Sequence, residues 1–133
     1  MNLASMLFYN ISKFFDHPYR EDLAVKITFI TSVLINLLIW VILYLKIYPL
    51  SYLTEYGQIF LHYNTYFGID KIGSWYQILF IPALGLFIII FNNIISYIFY
   101  LRERLISYSL IIANVALQVI LLAAAMFIVL LNI

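Results

Sequence analysis

Apolar residues form three long runs along this chain, and the runs contain almost no charged side chain. A helix needs about 20 residues to cross the hydrocarbon core of a bilayer, and each run is at least that long. The pattern therefore predicts three transmembrane helices within a single membrane domain that covers residues 1–133. The predicted spans are residues 23–46, 78–100 and 105–131.

The segment before the first run predicts a short amphipathic helix, at residues 2–16, that lies on the membrane surface. Apolar side chains recur there at helical spacing and form one wide face, which favours a helix over a frayed terminus. The segment lacks the basic start and the small-residue cleavage site of a signal peptide. Pro18 ends the pattern, and we expect Asp16 or His17 to cap a new helix there.

A very short turn that contains Arg102, Glu103 and Arg104 connects the second and third spans. Such a short turn joins helices that run in opposite directions, so these two spans are predicted to form an antiparallel helical hairpin. Pro82 and Gly85 lie within the first turns of the second span. Because proline lacks an N–H donor, it can kink the helix there.

Lysine and arginine near the span ends predict the orientation, since basic residues are enriched on the cytoplasmic side of membrane proteins. One side of the membrane carries five of them and the other side carries two. The five are Lys13, Arg20, Lys26, Arg102 and Arg104, and the two are Lys46 and Lys71. The count predicts a multi-pass protein of the cell membrane with a cytoplasmic N-terminus and an external C-terminus.

Residues 50–77 then form an outer loop that is unusually apolar for an exposed segment. Its central stretch LHYNTYFGID is aromatic and ends at glycine, which predicts a short strand or β-hairpin. An interfacial helix near residues 51–61 is the alternative. We expect the loop to lie on the bilayer, to cap the bundle or to dock a partner, and a strand edge there could pair with another chain. The predicted docking residues are His62, Tyr63, Tyr66 and Phe67.

The composition is 66% hydrophobic and only 10% charged, whereas soluble domains are about 25% charged. We therefore predict an all-α membrane protein with three transmembrane helices, the N-terminal interfacial amphipathic helix and, as one alternative for the outer loop, a short β-hairpin. Its predicted partners are the lipid bilayer and other membrane protein subunits or copies of itself. A net charge of +1 leaves no electrostatic footprint for nucleic acid. The absence of cysteine excludes disulfides and thiolate chemistry.

No Asp, Glu, Arg or His lies near the middle of a span. Proton relays, voltage sensors and most ion-coupled carriers need such groups, so the chain by itself is not expected to act as one. The spans contain carboxamides instead. These side chains either hydrogen-bond between helices and hold the bundle together, or line a pathway that other subunits complete. The predicted intramembrane polar cluster is Asn36, Asn92, Asn93, Asn114 and Gln118.

The outer loop also holds one histidine and two acids, His62, Glu55 and Asp70. Such a set could bind a metal or transfer protons, but its spacing fits no zinc or protease motif. We therefore predict no catalytic residue, no metal site and no cofactor. The acids are expected to be solvated and His62 to be packed among tyrosines.

A group of motifs in the second half of the chain carries a family resemblance. The stretch LHYNTYFGIDKIGSWYQ is followed by Pro82, Gly85, the pair Asn92–Asn93 and the stretch RERLISYS. Over roughly the C-terminal two thirds of the chain, this pattern resembles small three-span membrane proteins of candidate-phylum bacteria with reduced genomes. The resemblance implies a membrane location and a three-helix architecture, and it assigns a role to no residue.

These features favour a non-enzymatic structural or accessory subunit of a membrane assembly. In this hypothesis the amides hold the helices together and the aromatic loop docks a partner. A transport or permeation subunit that forms its pathway only as an oligomer is the second hypothesis, because three helices enclose too little volume for a pore. The third is an outer-face enzyme, which requires His62 to lie within hydrogen-bond reach of Glu55 or Asp70.

Overall fold

The structure is a computed structural model that describes residues 17–133, apart from the side chain of Glu55. The interfacial helix predicted at residues 2–16 lies outside the described residues. The described part consists of three long helices and one β-hairpin, which lies between the first two helices. These elements are α1 (Leu23–Ile47), β1 (Gln58–Asn64), β2 (Gly68–Ser74), α2 (Phe80–Phe99) and α3 (Arg104–Asn132).

Each of the three helices is long and apolar enough to cross a membrane. Only 22% of an apolar 18-residue window in each helix is buried inside the protein. Most of the apolar surface of the helices is therefore left for lipid or for other proteins. The prediction of a helical membrane protein with three spans is confirmed, and the outer loop contains the short hairpin that was one of its two alternatives.

The turn end of the bundle holds the start of α1 and the short connection between α2 and α3. A 3-10 turn, Pro18–Arg20, precedes α1, and His17 Nδ1 accepts a hydrogen bond from the Tyr19 N–H at 3.2 Å. The long helix begins after Asp22, whose Oδ1 accepts the Ala24 N–H at 2.9 Å. The cap predicted at His17 is thus confirmed for the short turn, whereas Asp22 caps the long helix.

A 3-10 segment, Trp75–Leu79, leads into α2, and Pro82 is the third residue of α2. The first four N–H groups of an α-helix have no partner within the helix, so the missing donor of Pro82 removes no hydrogen bond. The chain changes from 3-10 to α geometry at Phe80, two residues before the proline. Pro82 and Gly85 are both buried.

The hairpin end of the bundle holds β1 and β2, which pair antiparallel from Gln58 opposite Ser74 to Asn64 opposite Gly68. A register shift interrupts the pairing near the middle of β1. Gly68 follows the turn with a φ of +75°, a left-handed conformation that glycine adopts without strain. The alternative of an interfacial helix near residues 51–61 is wrong, because the residues before β1 form only short 3-10 turns.

The hairpin packs onto the bundle through an apolar core at the hairpin end. Ile59 of β1 is buried there in one cluster with residues of α1 and α3. The buried members of this core are Ile39, Leu43, Ile47, Ile59, Ile78, Ala125 and Val129. A smaller buried cluster at the turn end consists of Tyr19, Val25, Tyr100 and Ile111.

The side chain of Asn132, the last residue of α3, binds the backbone of β1. Its Oδ1 accepts the Phe60 N–H and its Nδ2 donates to the Phe60 carbonyl, both at 2.8 Å. The amide thus supplies the pair of hydrogen bonds that a neighbouring strand would make. The sequence analysis expected that the edge of a strand in this loop could pair with another chain. At Phe60, the side chain of Asn132 already occupies that edge of β1.

Replacing Asn132 by alanine is expected to speed hydrogen exchange of the Phe60 amide about 10-fold, because that N–H loses its acceptor. Residue-resolved exchange measured by NMR in detergent micelles checks this. Ile133→Ala changes the exposed neighbouring residue and should leave the rate unchanged. An equal exchange rate in Asn132→Ala and in the unaltered protein would mean that packing alone holds β1.

Candidate functional site

Two buried carboxamides connect all three helices near the middle of the bundle. Asn36 of α1 donates through Nδ2 to the Pro82 carbonyl at 2.9 Å and to Gln118 Oε1 at 3.1 Å. Gln118 of α3 donates through Nε2 to the Gly85 carbonyl of α2 at 3.0 Å. Both carboxamides are almost completely buried. These four residues form what we call the central amide node.

Two further polar pairs lie between α2 and α3, closer to the turn end. Asn92 donates through Nδ2 to Asn114 Oδ1 at 2.9 Å. The hydroxyl oxygens of Ser96 and Ser107, the serine pair, are 2.6 Å apart. Asn114 and both serines are buried. Within residues 17–133, the Nδ2 of Asn114 is the one buried side-chain polar atom without a hydrogen-bond partner.

Asn93, the remaining member of the predicted polar cluster, lies apart from these pairs. Its Oδ1 accepts the Tyr19 hydroxyl at 2.9 Å, and its Nδ2 donates to the Ile89 carbonyl at 2.7 Å. It therefore connects the segment before α1 to α2 and does not join the other amides. The structure thus divides the predicted cluster into the central amide node, the Asn92–Asn114 pair and Asn93.

A carboxylate at the turn end binds two tyrosines that lie on either side of the short turn. Asp22 Oδ2 accepts the hydroxyl groups of Tyr100 and Tyr108, each at 2.6 Å. These hydrogen bonds hold the pKa of Asp22 below its usual value. The bond to Asp22, together with burial, raises the pKa of Tyr100. The sequence analysis does not predict this contact. The one feature of the sequence that indicates it is the presence of two tyrosines, Tyr100 and Tyr108, at the same depth in the membrane as Asp22.

The polar side chains occupy only the turn-end half of the bundle interior. From Asp22 they continue through the serine pair and the Asn92–Asn114 pair to the central amide node. Beyond the node the interior is apolar and is filled by core residues such as Ile39, Leu43 and Ile47. The described residues of a single copy therefore form no continuous polar path between the two ends. The amides instead face each other, which is the arrangement expected for helix packing.

His62 and Asp70 contact each other on the surface of the hairpin. The Nδ1 of His62 lies 2.7 Å from Asp70 Oδ1, and the two side chains are 63% and 36% exposed. The expectation that His62 packs among tyrosines is therefore wrong, because the side chain is open to water. This distance of 2.7 Å is within the hydrogen-bond reach that proton transfer between two side chains requires. Among the described residues, no group of three or more histidine, cysteine or acidic side chains could hold a metal.

The aromatic residues at the tip of the hairpin are strongly exposed. Tyr66 is 90% exposed and Phe67 is 84% exposed, and Tyr63 is exposed as well. These side chains do not cap the bundle, which was one of the three arrangements expected for the loop. A groove of about 570 Å³ also separates Tyr63 from the apolar face of α3 at Phe127. The tip is therefore available for contact with a partner or with lipid.

No family model matches this chain, and no curated protein or solved structure matches it either. The resemblance to three-span membrane proteins of bacteria with reduced genomes therefore stays a prediction. The functional conclusion depends on the geometry of the polar contacts inside the bundle and of the hairpin at its end.

Proposed function

We propose that this protein is a non-enzymatic accessory subunit of a cell-membrane assembly that docks a partner through the tip of its hairpin. The proposal depends on one observation, the exposure of Tyr66 and Phe67 on a hairpin that is bound to the bundle. The partner is another membrane protein or a second copy of this chain. The N-terminus is cytoplasmic and the hairpin lies outside, in agreement with the distribution of basic residues.

Several contacts hold the hairpin in one orientation relative to the bundle. Ile59 is buried in the core, and Asn132 binds the Phe60 backbone. A Cβ added at Gly73 would lie 2.7 Å from Gln77 Oε1, so β2 packs closely against the segment that leads into α2. A surface that is already ordered loses less conformational entropy when it binds. The rigid attachment of the hairpin therefore supports a docking role for its tip.

The side chains at the tip are of the type that contributes most to protein interfaces. Interface cores are enriched in tyrosine, tryptophan and phenylalanine, and a few such residues supply most of the binding free energy. Tyr63, Tyr66 and Phe67 expose apolar surface that is unfavourable in water. Contact with lipid headgroups is the competing explanation, because aromatic residues also concentrate at the membrane interface.

The amides inside the bundle support the same role because they hold the three helices as a base for the hairpin. A hydrogen bond between membrane helices contributes about 0.6 kcal/mol on average and about 1.7 kcal/mol at most. Asn36 and Gln118 bind each other and the α2 backbone within one copy. A transport subunit, the alternative, would need these amides to face an axis shared between copies, so the observed pairing favours packing.

The short distance between His62 Nδ1 and Asp70 Oδ1 is the one observation that favours the enzyme alternative. Both side chains are exposed, whereas burial and neighbouring charges usually tune catalytic acid–base groups. We therefore assign the pair a structural role, as a cross-strand contact that stabilises the hairpin.

Photo-crosslinking in native membranes tests the docking proposal. Benzoyl-phenylalanine at Tyr66 is expected to form an adduct of one defined mass with a partner protein or a second copy. The same probe at Phe87, an exposed position on α2, should form none. Replacing Tyr63, Tyr66 and Phe67 by serine should abolish co-purification of that partner. Adducts with lipid alone, or unchanged co-purification of the triple variant, would contradict the proposal.

A further inference from the structure

A groove near the turn end runs between the start of α1 and the last turns of α2. Its volume is about 590 Å³, which is within the range of about 300–1,000 Å³ for small-molecule sites. Its wall is apolar along Phe29, Ile90 and Ile94. These three side chains are exposed on the outside of the bundle. The groove therefore opens sideways, onto the surface that hydrocarbon chains contact in a membrane.

Two basic side chains, Arg20 and Lys26, line the same groove. They are the two charged residues among the described residues that form its wall. Asp22 lies between them in sequence, but its carboxylate binds Tyr100 and Tyr108 and does not line the groove. Arg20 and Lys26 are therefore the charged side chains that the described residues contribute to the groove, and they lie beside its apolar wall.

The charged part of the groove lies at the depth of the lipid headgroups. Lys26 is in the first turn of α1, and Tyr97, which also lines the groove, is in the last turn of α2. Ile90 lies seven residues before Tyr97, a distance of about 10 Å along a helix. The groove therefore passes from the headgroup layer into the hydrocarbon, and the lysine stem can extend back toward the polar layer.

The wall of the groove is held by contacts within the protein. The Tyr19 hydroxyl donates to Asn93 Oδ1 at 2.9 Å. The Tyr97 ring packs edge-on against the Tyr19 ring, with the ring centroids 5.7 Å apart. Tyr19 itself is buried. The groove is thus formed before a ligand binds, and less ordering is required on binding.

We propose that this groove binds an anionic phospholipid. The phosphate contacts Arg20 and Lys26. One acyl chain lies along Phe29, Ile90 and Ile94. A free phosphate would leave the apolar wall uncovered, and a zwitterionic lipid would bring a further cation to two basic side chains. Basic pockets between membrane helices bind anionic headgroups in the same way. This inference does not depend on the docking role of the hairpin.

Native mass spectrometry of the detergent-purified protein, titrated with phosphatidylglycerol or phosphatidylcholine, tests the proposal. One phosphatidylglycerol should be retained in preference to phosphatidylcholine, and excess inorganic phosphate should not displace it. Replacing both Arg20 and Lys26 by glutamine is expected to weaken phosphatidylglycerol binding about 25-fold, or about 5-fold for each charge. Arg102→Gln combined with Arg104→Gln removes the same charge at the same end and should leave the binding unchanged.

A second variant fills the apolar part of the groove without changing the charge. Ile94→Trp is expected to displace the lipid, whereas Ile98→Trp, one turn further along α2 and also exposed, should not. Equal binding of the two lipids, or displacement by inorganic phosphate, would overturn the proposal. An equal loss in the Arg102 and Arg104 control would overturn it too, because the lipid would then be attracted to this end of the bundle in general.

Discussion

Replacing Asp22 by alanine is expected to lower the free energy of unfolding by about 3 kcal/mol, as measured by titration with SDS in mixed micelles. The variant loses the N-cap of α1, which contributes about 1 kcal/mol. It also leaves the buried Tyr100 hydroxyl without its charged acceptor, a loss of about 1.5–3 kcal/mol. The effect is large because one carboxylate joins the start of α1 to the ends of the other two helices.

Glu21→Ala is the matched control for the Asp22 variant. Glu21 is the neighbouring acid and is exposed, so its loss is expected to change the free energy of unfolding by less than about 0.5 kcal/mol. Asp22→Asn should lie between the two, since asparagine also caps helices but is a neutral acceptor. Equal stability of Asp22→Ala and Glu21→Ala would mean that the tyrosine contacts do not contribute to folding.

The same contact predicts how the stability depends on pH. Because the tyrosine hydrogen bonds lower the folded-state pKa of Asp22, its contribution is complete above the unfolded pKa of about 4. It is lost as the pH falls through the folded pKa. The pKa of Tyr100 is raised, so that contribution is complete below about pH 10 and is lost as the pH rises through the folded pKa. Compared with the unaltered protein, unfolding titrations should show a smaller acid-side loss in Asp22→Asn and a smaller alkaline loss in Tyr100→Phe.

Gly85→Leu is expected to destabilise the bundle by about 3 kcal/mol, the upper end of the range for overpacked cores. A Cβ added at Gly85 would lie 2.6 Å from Asn36 Nδ2 and 2.8 Å from Gln118 Oε1. The larger side chain must therefore displace both amides and break the central amide node. The same SDS titration measures the loss, and the separation of α1 from α2 should accompany it.

Ala83→Leu is the control for the glycine variant. Ala83 lies two residues away on an exposed position of α2, where lipid can move to admit the larger side chain. Its effect is expected to be below about 0.5 kcal/mol. In an exposed helix, replacing glycine by a good helix former usually stabilises by up to about 1 kcal/mol. A gain in stability in Gly85→Leu would therefore contradict the close packing at the node.

Much of the fold can be predicted from the order of apolar and polar residues. The spans predicted at residues 78–100 and 105–131 correspond to α2 (Phe80–Phe99) and α3 (Arg104–Asn132), because the length of an apolar run limits the length of its helix. For the loop at residues 50–77, the sequence leaves two alternatives, because a short aromatic stretch is compatible with a strand and with an interfacial helix. Pairing between β1 and β2 decides between them, and it requires a partner strand that periodicity alone does not identify.

The candidate site was predictable in its residues but not in its contacts. Adjacent residues of a helix point in different directions, so Asn93 contacts Tyr19 while Asn92 contacts Asn114. Asp22 resembles a boundary charge in the sequence, because its tyrosine partners lie 78 and 86 residues further along the chain. Contacts over such distances depend on how the helices are rotated about their axes.

The sequence by itself determined that the helices are suited to a lipid environment and that three of them can cross the membrane. Transfer into hydrocarbon depends on residue type and on the length of each apolar run, and both can be read from the sequence. Only the tertiary structure decided that the amides close on each other, that Asn132 binds β1 and that Arg20 and Lys26 line a groove beside α1. The reason is that lipid is as apolar as the side chains it surrounds, so hydrophobicity leaves the rotation of each helix undetermined. A few hydrogen bonds and one close approach at Gly85 settle that rotation.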